Sequence, residues 1–281
     1  MHPRSWLLAP ADSETKLAKV PGIDAGAVVL DLSSVAEDCK KAARQNAVEF
    51  LAAYKVHGFS RWVRINPIGS PHWKEDLVAV MAQQPHGIIL PRATGAQQVQ
   101  LLAAEIYELE PASGCAHNSV RIIPQVGDTP ESAFAIEEFA HDPHPRILGL
   151  SWDLQALVSA AHMTTNDNDV TRNVRARILL AAKARRLLAI ESASGLVKRK
   201  DALEMAVRRA RATGFDAMLA RHPAQVPVIE DVFAPDDTDR AAANTIVSTF
   251  ALYPDAQIVT VGGRSIDRTA LQNAQRLLDD G

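Results

Sequence analysis

Eight short apolar runs separated by segments of helical spacing constrain this chain more than any other feature of it. They are Ser5–Pro10, Ala27–Leu32, Arg61–Asn66, Gly87–Arg92, Val120–Val126, Arg146–Trp152, Arg186–Ser192 and Asp216–His222. Most are apolar at consecutive rather than alternate positions, as in VVLDL, IILP and LLAIE, which is how strands covered on both faces read. Between them, Glu37–Tyr54, Trp73–Gln83, Ala96–Leu109, Pro130–Ala140, Thr171–Arg185 and Arg199–Ala212 carry apolar residues at three- and four-residue spacing, and Thr15–Val20 and Asp153–Ala161 are shorter helical stretches. Each parallel connection needs a crossover, and helices must cover the outside of the sheet, so the alternation predicts a (β/α)8 barrel. A doubly wound open sheet is the rival, but no GxGxxG follows any run, which removes the usual mark of a dinucleotide-binding sheet. The barrel is expected over 1–235. A C-terminal helical extension is expected over 236–281, with helices at Asp239–Leu252 and Ile266–Asp279 joined by the apolar stretch Gln257–Gly263.

Charge narrows the partners. Lys and Arg number 30 against 33 Asp and Glu, spread without long single-sign runs, so neither a nucleic acid nor a membrane surface is expected as partner. No window approaches the roughly 18 apolar residues of a membrane span, and no basic segment with a long apolar stretch opens the chain, so a cytoplasmic protein acting on small molecules is expected.

In such barrels chemistry gathers at the carboxyl ends of the strands. The polar residues ending the runs are Asp31 with Ser33 and Ser34, Arg64 with Asn66, Arg92, Gln125 with Asp128, Asp153, Glu191, and Arg221 with His222. Arginines and carboxylates around one mouth suit an anionic substrate gripped by guanidinium forks and a divalent ion held by oxygen. Each has a plainer reading. Asp128 ahead of Pro130 and Asp153 ahead of a short helix are both placed to cap. Glu191 reads as a supporting acid, His222 as a packed residue before Pro223, and Lys40, Lys41 and Arg44 as a solvated helix face.

The segments RSWLLAPADSETKLAKV (4–20), VVLDL (28–32), KKAAR (40–44), VRINP (63–67), GIILPR (87–92), GFDAMLARHPAQVPVIEDVFAP (214–235) and GGRSID (262–267) together resemble the citrate lyase β-subunit-like family, which includes malyl-CoA and citramalyl-CoA lyases. The resemblance implies a (β/α)8 barrel with a C-terminal helical extension. It also implies an Mg2+-dependent carbon–carbon lyase that cleaves a β-hydroxyacyl thioester of CoA to an acyl thioester and a 2-oxo acid. By resemblance, Arg64 grips the oxo acid carboxylate with help from Asn66 and Arg92, Arg4 lies at the base of that site, and Asp128 and Asp153 bind the metal. Asp267 is the proton donor and acceptor, supplied across the interface of a homo-oligomer, a trimer or hexamer.

The chain departs from the family at the mouth: DLED after the second strand reads DLSS here, Asp128 stands for a glutamate, Arg92 for a lysine, and a short turn before Asp153 is missing. The alternatives are therefore an impaired barrel with a regulatory or binding role, or a thioesterase or aldolase of the same family.

Overall fold

The computed structural model describes residues 2–141, 143–197 and 199–279. They fall into two compact units, divided between Phe233 and Ala234.

The first unit holds eight strands: β1 (Ser5–Pro10), β2 (Ala27–Asp31), β3 (Ser60–Arg64), β4 (Gly87–Leu90), β5 (Arg121–Pro124), β6 (Gly149–Leu150), β7 (Leu188–Glu191) and β8 (Ala217–Ala220). They pair in the order β5-β4-β3-β2-β1-β8-β7-β6, every ladder parallel. Bridges Ile122↔Ile147 and Gln125↔Ser151 bring the two outer strands together, so the ring is a nearly closed barrel.

Two cores follow from the pleat, because successive residues of a strand face opposite ways. Inside the ring pack Trp6, Leu8, Ala27, Val29, Trp62, Ile89, Ile123, Ile190, Ala217 and Leu219. Their alternates, such as Leu7, Val28, Val63 and Ile88, pack outward against the helices. Runs apolar at every position are the sequence trace of this double burial.

The helix after β8 is Val226–Phe233, in a stretch whose prolines and acids do not read as helical; it buries Val226, Ile229, Val232 and Phe233 and packs on β1 and on the helix Lys200–Thr213. Pro227 is tolerated because it lies in the first turn, where its missing N–H costs nothing. The chain beyond His222 thus completes the barrel before the extension begins.

In the second unit the helix Asp237–Leu252 packs on the helix Arg268–Asp279. The stretch expected to be a simple connector is a hairpin, β9 (Ile258–Val261) and β10 (Arg264–Asp267). Gly262 and Gly263 both have positive φ, 58° and 77°, as a two-residue turn of this twist requires. Phe250, Val259 and Leu271 form the small core. Among the described residues no helix is long and apolar enough to cross a membrane.

Candidate active site

The two-residue step that fills the barrel interior with apolar side chains carries the same inner face onward to polar ones at the carboxyl ends: Ala27 and Val29 lead to Asp31, Trp62 to Arg64, Ile123 to Gln125, and Ala217 and Leu219 to Arg221. A polar layer therefore lies on an apolar plug.

Arg64 is the centre of that layer. Its Nε and Nη2 donate to the two oxygens of Asp31 at 2.9 and 2.6 Å, Nη2 also donates to Ser34 Oγ at 2.8 Å, and Nη1 donates to Gln125 Oε1 at 3.2 Å. The fifth contact, Nη1 to Asp153 Oδ2, is the longest at 3.4 Å. All five N–H groups of the guanidinium are thus engaged. Burial works against charging either partner, but the attraction between them outweighs it: the Asp31 carboxyl is held below the usual carboxylate range and Arg64 above the usual guanidinium value. The amides of Ser33 and Ser34 add hydrogen bonds to Asp31. The two serines of DLSS thus fold the loop around an Arg64–Asp31 pair.

Asp128 reaches the mouth through a turn at Gly127, where φ is +78° and a Cβ would lie 2.6 Å from Val174 Cγ1, so only glycine fits. It does not cap the helix Pro130–Phe134, whose cap is the side chain of Thr129. Instead its carboxylate ties two loops, accepting from the backbone N–H of Asp153 at 2.6 Å and of Arg92 at 3.2 Å. Complete burial, then the neighbouring charge of Asp153, push its pKa up to about 7. Asp153 does cap the helix Leu154–Ala160, through the N–H groups of Gln155 and Ala156, and also accepts from Arg221 Nη2 on both oxygens at 2.5 and 2.6 Å.

The remaining expected residues are dispersed. Asn66 is buried beside the mouth with its amide spent on Lys40 Nζ, Asp76 and the Leu32 carbonyl, which leaves nothing to offer a substrate. Lys40 is correspondingly buried, not solvated, and holds the Leu32 and Ser33 carbonyls as well; Arg44 pairs with Asp76 and Glu75. Arg92 is exposed at the rim with φ +53°, a backbone conformation uncommon outside glycine. Arg4 precedes β1 and faces Glu230 at 3.9 Å, at the end of the barrel away from the mouth, so it is no part of the base of this site. Glu191 supports the region behind, accepting from Trp152 Nε1 and Arg175. His222 caps the turn Pro223–Gln225. Asp267, in the second unit, is exposed at the end of β10 and accepts from the N–H of Ala270. Sequence reasoning lists Arg221 and Gln125 only as strand ends; their place on the inner-face alternation was the signal that both belong to the polar layer.

The donor set fits a hard divalent cation. Asp128 and Asp153 are near enough to repel each other, and Asp128 accepts only from neutral backbone N–H groups, so a cation between them would offset that repulsion; Mg2+ commonly takes one or two carboxylates and fills its remaining positions with water and substrate oxygens. Among the described residues no cluster of three or more His, Cys, Asp or Glu is arranged to hold a metal by itself.

The profile of the HpcH/HpaI aldolase/citrate lyase family matches residues 4–223. The citrate lyase subunit beta-like protein of Mycobacterium tuberculosis is 29% identical, covering 97% of this chain and 93% of its own. A (3S)-malyl-CoA thioesterase of Cereibacter sphaeroides is 26% identical over 99% of this chain and 94% of its own. The crystal structure of CitE from M. tuberculosis in complex with magnesium, acetoacetate and coenzyme A superposes with a TM-score of 0.69 at 28% identity, covering 98% of this chain and 97% of that one.

Proposed function

The chain belongs to the HpcH/HpaI aldolase/citrate lyase family, and from that premise we propose that it is an Mg2+-dependent carbon–carbon lyase of a β-hydroxyacyl-CoA thioester. The observation that carries the reading is the polar layer itself: two carboxylates, Asp128 and Asp153, beside two arginines, Arg64 and Arg221, at the chemical end of the barrel. In the reaction the β-hydroxyl gives up its proton, the bond between the carbinol carbon and the α-carbon breaks, and its electron pair passes to the α-carbon as an enolate of the acyl thioester. Protonation there yields the acyl thioester and a 2-oxo acid, with no net redox change.

Asp128 and Asp153 would hold the metal, which when bound supplies positive charge to the substrate's hydroxyl or keto oxygen and acid group. Arg64 draws the acid carboxylate through its Nη1 edge, where the long contact to Asp153 is the easiest to exchange. Arg221 and Arg92 add positive charge at the rim. The arm of the thioester is accommodated in the adjoining cleft of about 740 Å3 between the Asp153 loop and the helices Asp169–Ala184 and Lys200–Thr213, with Arg172 and Arg209 along it. Asp267 serves as proton donor and acceptor, brought by the extension of another subunit in a cytoplasmic homo-oligomer, a trimer or hexamer.

Incubation with malyl-, citramalyl- and citryl-CoA, reading oxo acid as its phenylhydrazone and free thiol with a disulfide reagent, tests this. A lyase releases oxo acid without thiol. Thiol without oxo acid gives the thioesterase reading, which the Cereibacter relative favours, and release of neither product contradicts both.

A further inference from the structure

Two polar side-chain atoms in the barrel's polar layer have no hydrogen-bond partner although both are buried: Nε2 of Gln125 and Oγ of Ser151. Neither residue has any solvent exposure. They are register partners across the β5–β6 junction, joined by the bridge Gln125↔Ser151, and cross-strand partners project to the same face of a sheet. The orientation of the glutamine amide is fixed by its neighbour: a guanidinium can only donate, so the atom meeting Arg64 Nη1 at 3.2 Å is Oε1, and the amide N–H groups point elsewhere. A buried donor left unmade is costly, and natural interiors rarely keep one without a reason. Here there are two, both neutral: Gln125 lies beside the Nη1 edge of a buried arginine, and Ser151 is its cross-strand partner.

Neutral donors next to a cation suit an oxygen that carries negative charge. A metal ion would find no anion in Gln125 and Ser151, and an apolar group would leave both unsatisfied. We infer that Gln125 and Ser151 bind the carboxylate of the 2-oxo acid, one oxygen taking the Gln125 Nε2 and Ser151 Oγ donors while the other meets Arg64 Nη1 in place of Asp153. This rests on the oxo acid site proposed above and adds two residues that the family resemblance does not supply. Gln125 and Ser151 are binding residues that discriminate by the acid group, and the amide is satisfied only when ligand is present.

The experiment is calorimetric titration of the full-length protein, with saturating Mg2+, by pyruvate and by pyruvamide, which keeps the oxo group but not the negative charge. The variants are Gln125→Met, which keeps length and loses the donors, and Ser151→Ala. Ser151→Ala removes only an unsatisfied buried polar group, so its melting temperature should equal or exceed that of the parent, whereas Gln125→Met also removes the acceptor of Arg64 Nη1, so its fold is checked by circular dichroism before titration. The expected result is a pyruvate Kd raised at least tenfold in Gln125→Met and severalfold in Ser151→Ala, with pyruvamide binding changed less than twofold. Pyruvate binding unchanged in both variants, as when a buried water satisfies these atoms, overturns the inference while leaving the oxo acid site intact. Failure of the parent protein to bind any 2-oxo acid overturns both together. Equal losses for pyruvate and pyruvamide assign the two residues to the oxo group or to packing, and also overturn it.

Discussion

Breaking the Arg64–Asp31 pair from either side should cost far more than removing both members at once. Asp31 and Arg64 are 4% and 5% exposed, and their contact is bidentate at 2.6 and 2.9 Å. Arg64→Met leaves a buried carboxylate facing no cation, and Asp31→Asn leaves a buried guanidinium with two of its five donors poorly matched. Deleting one partner of a buried ion pair costs about 3–5 kcal/mol. In the double variant neither charge is stranded, because the side-chain carbonyl that Asp31→Asn leaves in place would still accept from the Ser33 and Ser34 amides and Asp153 keeps Arg221. The double should therefore cost about 2–3 kcal/mol less than the sum of the singles. Urea unfolding of the four proteins reads this from the midpoints at constant m. Because the folded-state pKa of Asp31 lies below its ordinary 3.8, its contribution is present above about pH 4 and lost as the pH falls through the lowered value. The cost of Asp31→Asn should shrink accordingly at the acid end. Additivity of the two substitutions within about 0.5 kcal/mol would mean that the two side chains do not depend on each other and that no coupled ion pair exists.

Asp128 should behave with the opposite sign. A carboxyl raised to about 7 favours folding while protonated, so its contribution, on the order of a few kcal/mol, is present below about pH 4 and lost as the pH rises toward 7. Without added metal, Asp128→Asn should flatten the slope of stability against pH over that window, and an unchanged slope assigns the dependence elsewhere. Arg221→Ala should raise the affinity for Mg2+ severalfold in calorimetry, because the guanidinium on both oxygens of Asp153 competes with any cation there; lowered affinity would make Arg221 a support of the site. Asp267→Ala should reduce turnover by about 10²- to 10⁴-fold with oxo acid affinity nearly intact, and mixing it with an Arg64→Ala variant should restore part of the activity. No restoration among subunits that demonstrably exchange, or a monomer in sedimentation, removes the shared site.

The barrel is legible in the sequence because its strands are buried on both faces, and that requirement leaves consecutive apolar residues such as Ile88, Ile89 and Leu90. The helix Val226–Phe233 is hidden by Pro227 and the acids beside it, although Val226, Ile229 and Val232 keep the helical step. The hairpin is written as alternation around Gly262-Gly263 but is masked by the helical residues on either side. Site residues are less legible. Strand ends pick out Asp31, Arg64, Gln125, Asp128, Asp153 and Arg221 together with Asn66 and Arg92, and only tertiary contacts tell those that face the mouth from Asn66, which is locked to Lys40 and Asp76. Nothing in a linear run reveals that Arg64 is already paired to Asp31, or that Arg4 lies at the opposite end of its strand from the chemistry.

In the proposed reading, Asp128, Asp153 and Arg64 form one site for a divalent cation and an oxo acid together. Calorimetric titration of Mg2+ in the absence and presence of a saturating 2-oxo acid, and of the acid in the absence and presence of Mg2+, tests it directly. Each ligand should tighten the other by the same factor, as linkage through one site requires. Binding of the two without mutual effect, or binding of neither, would contradict it.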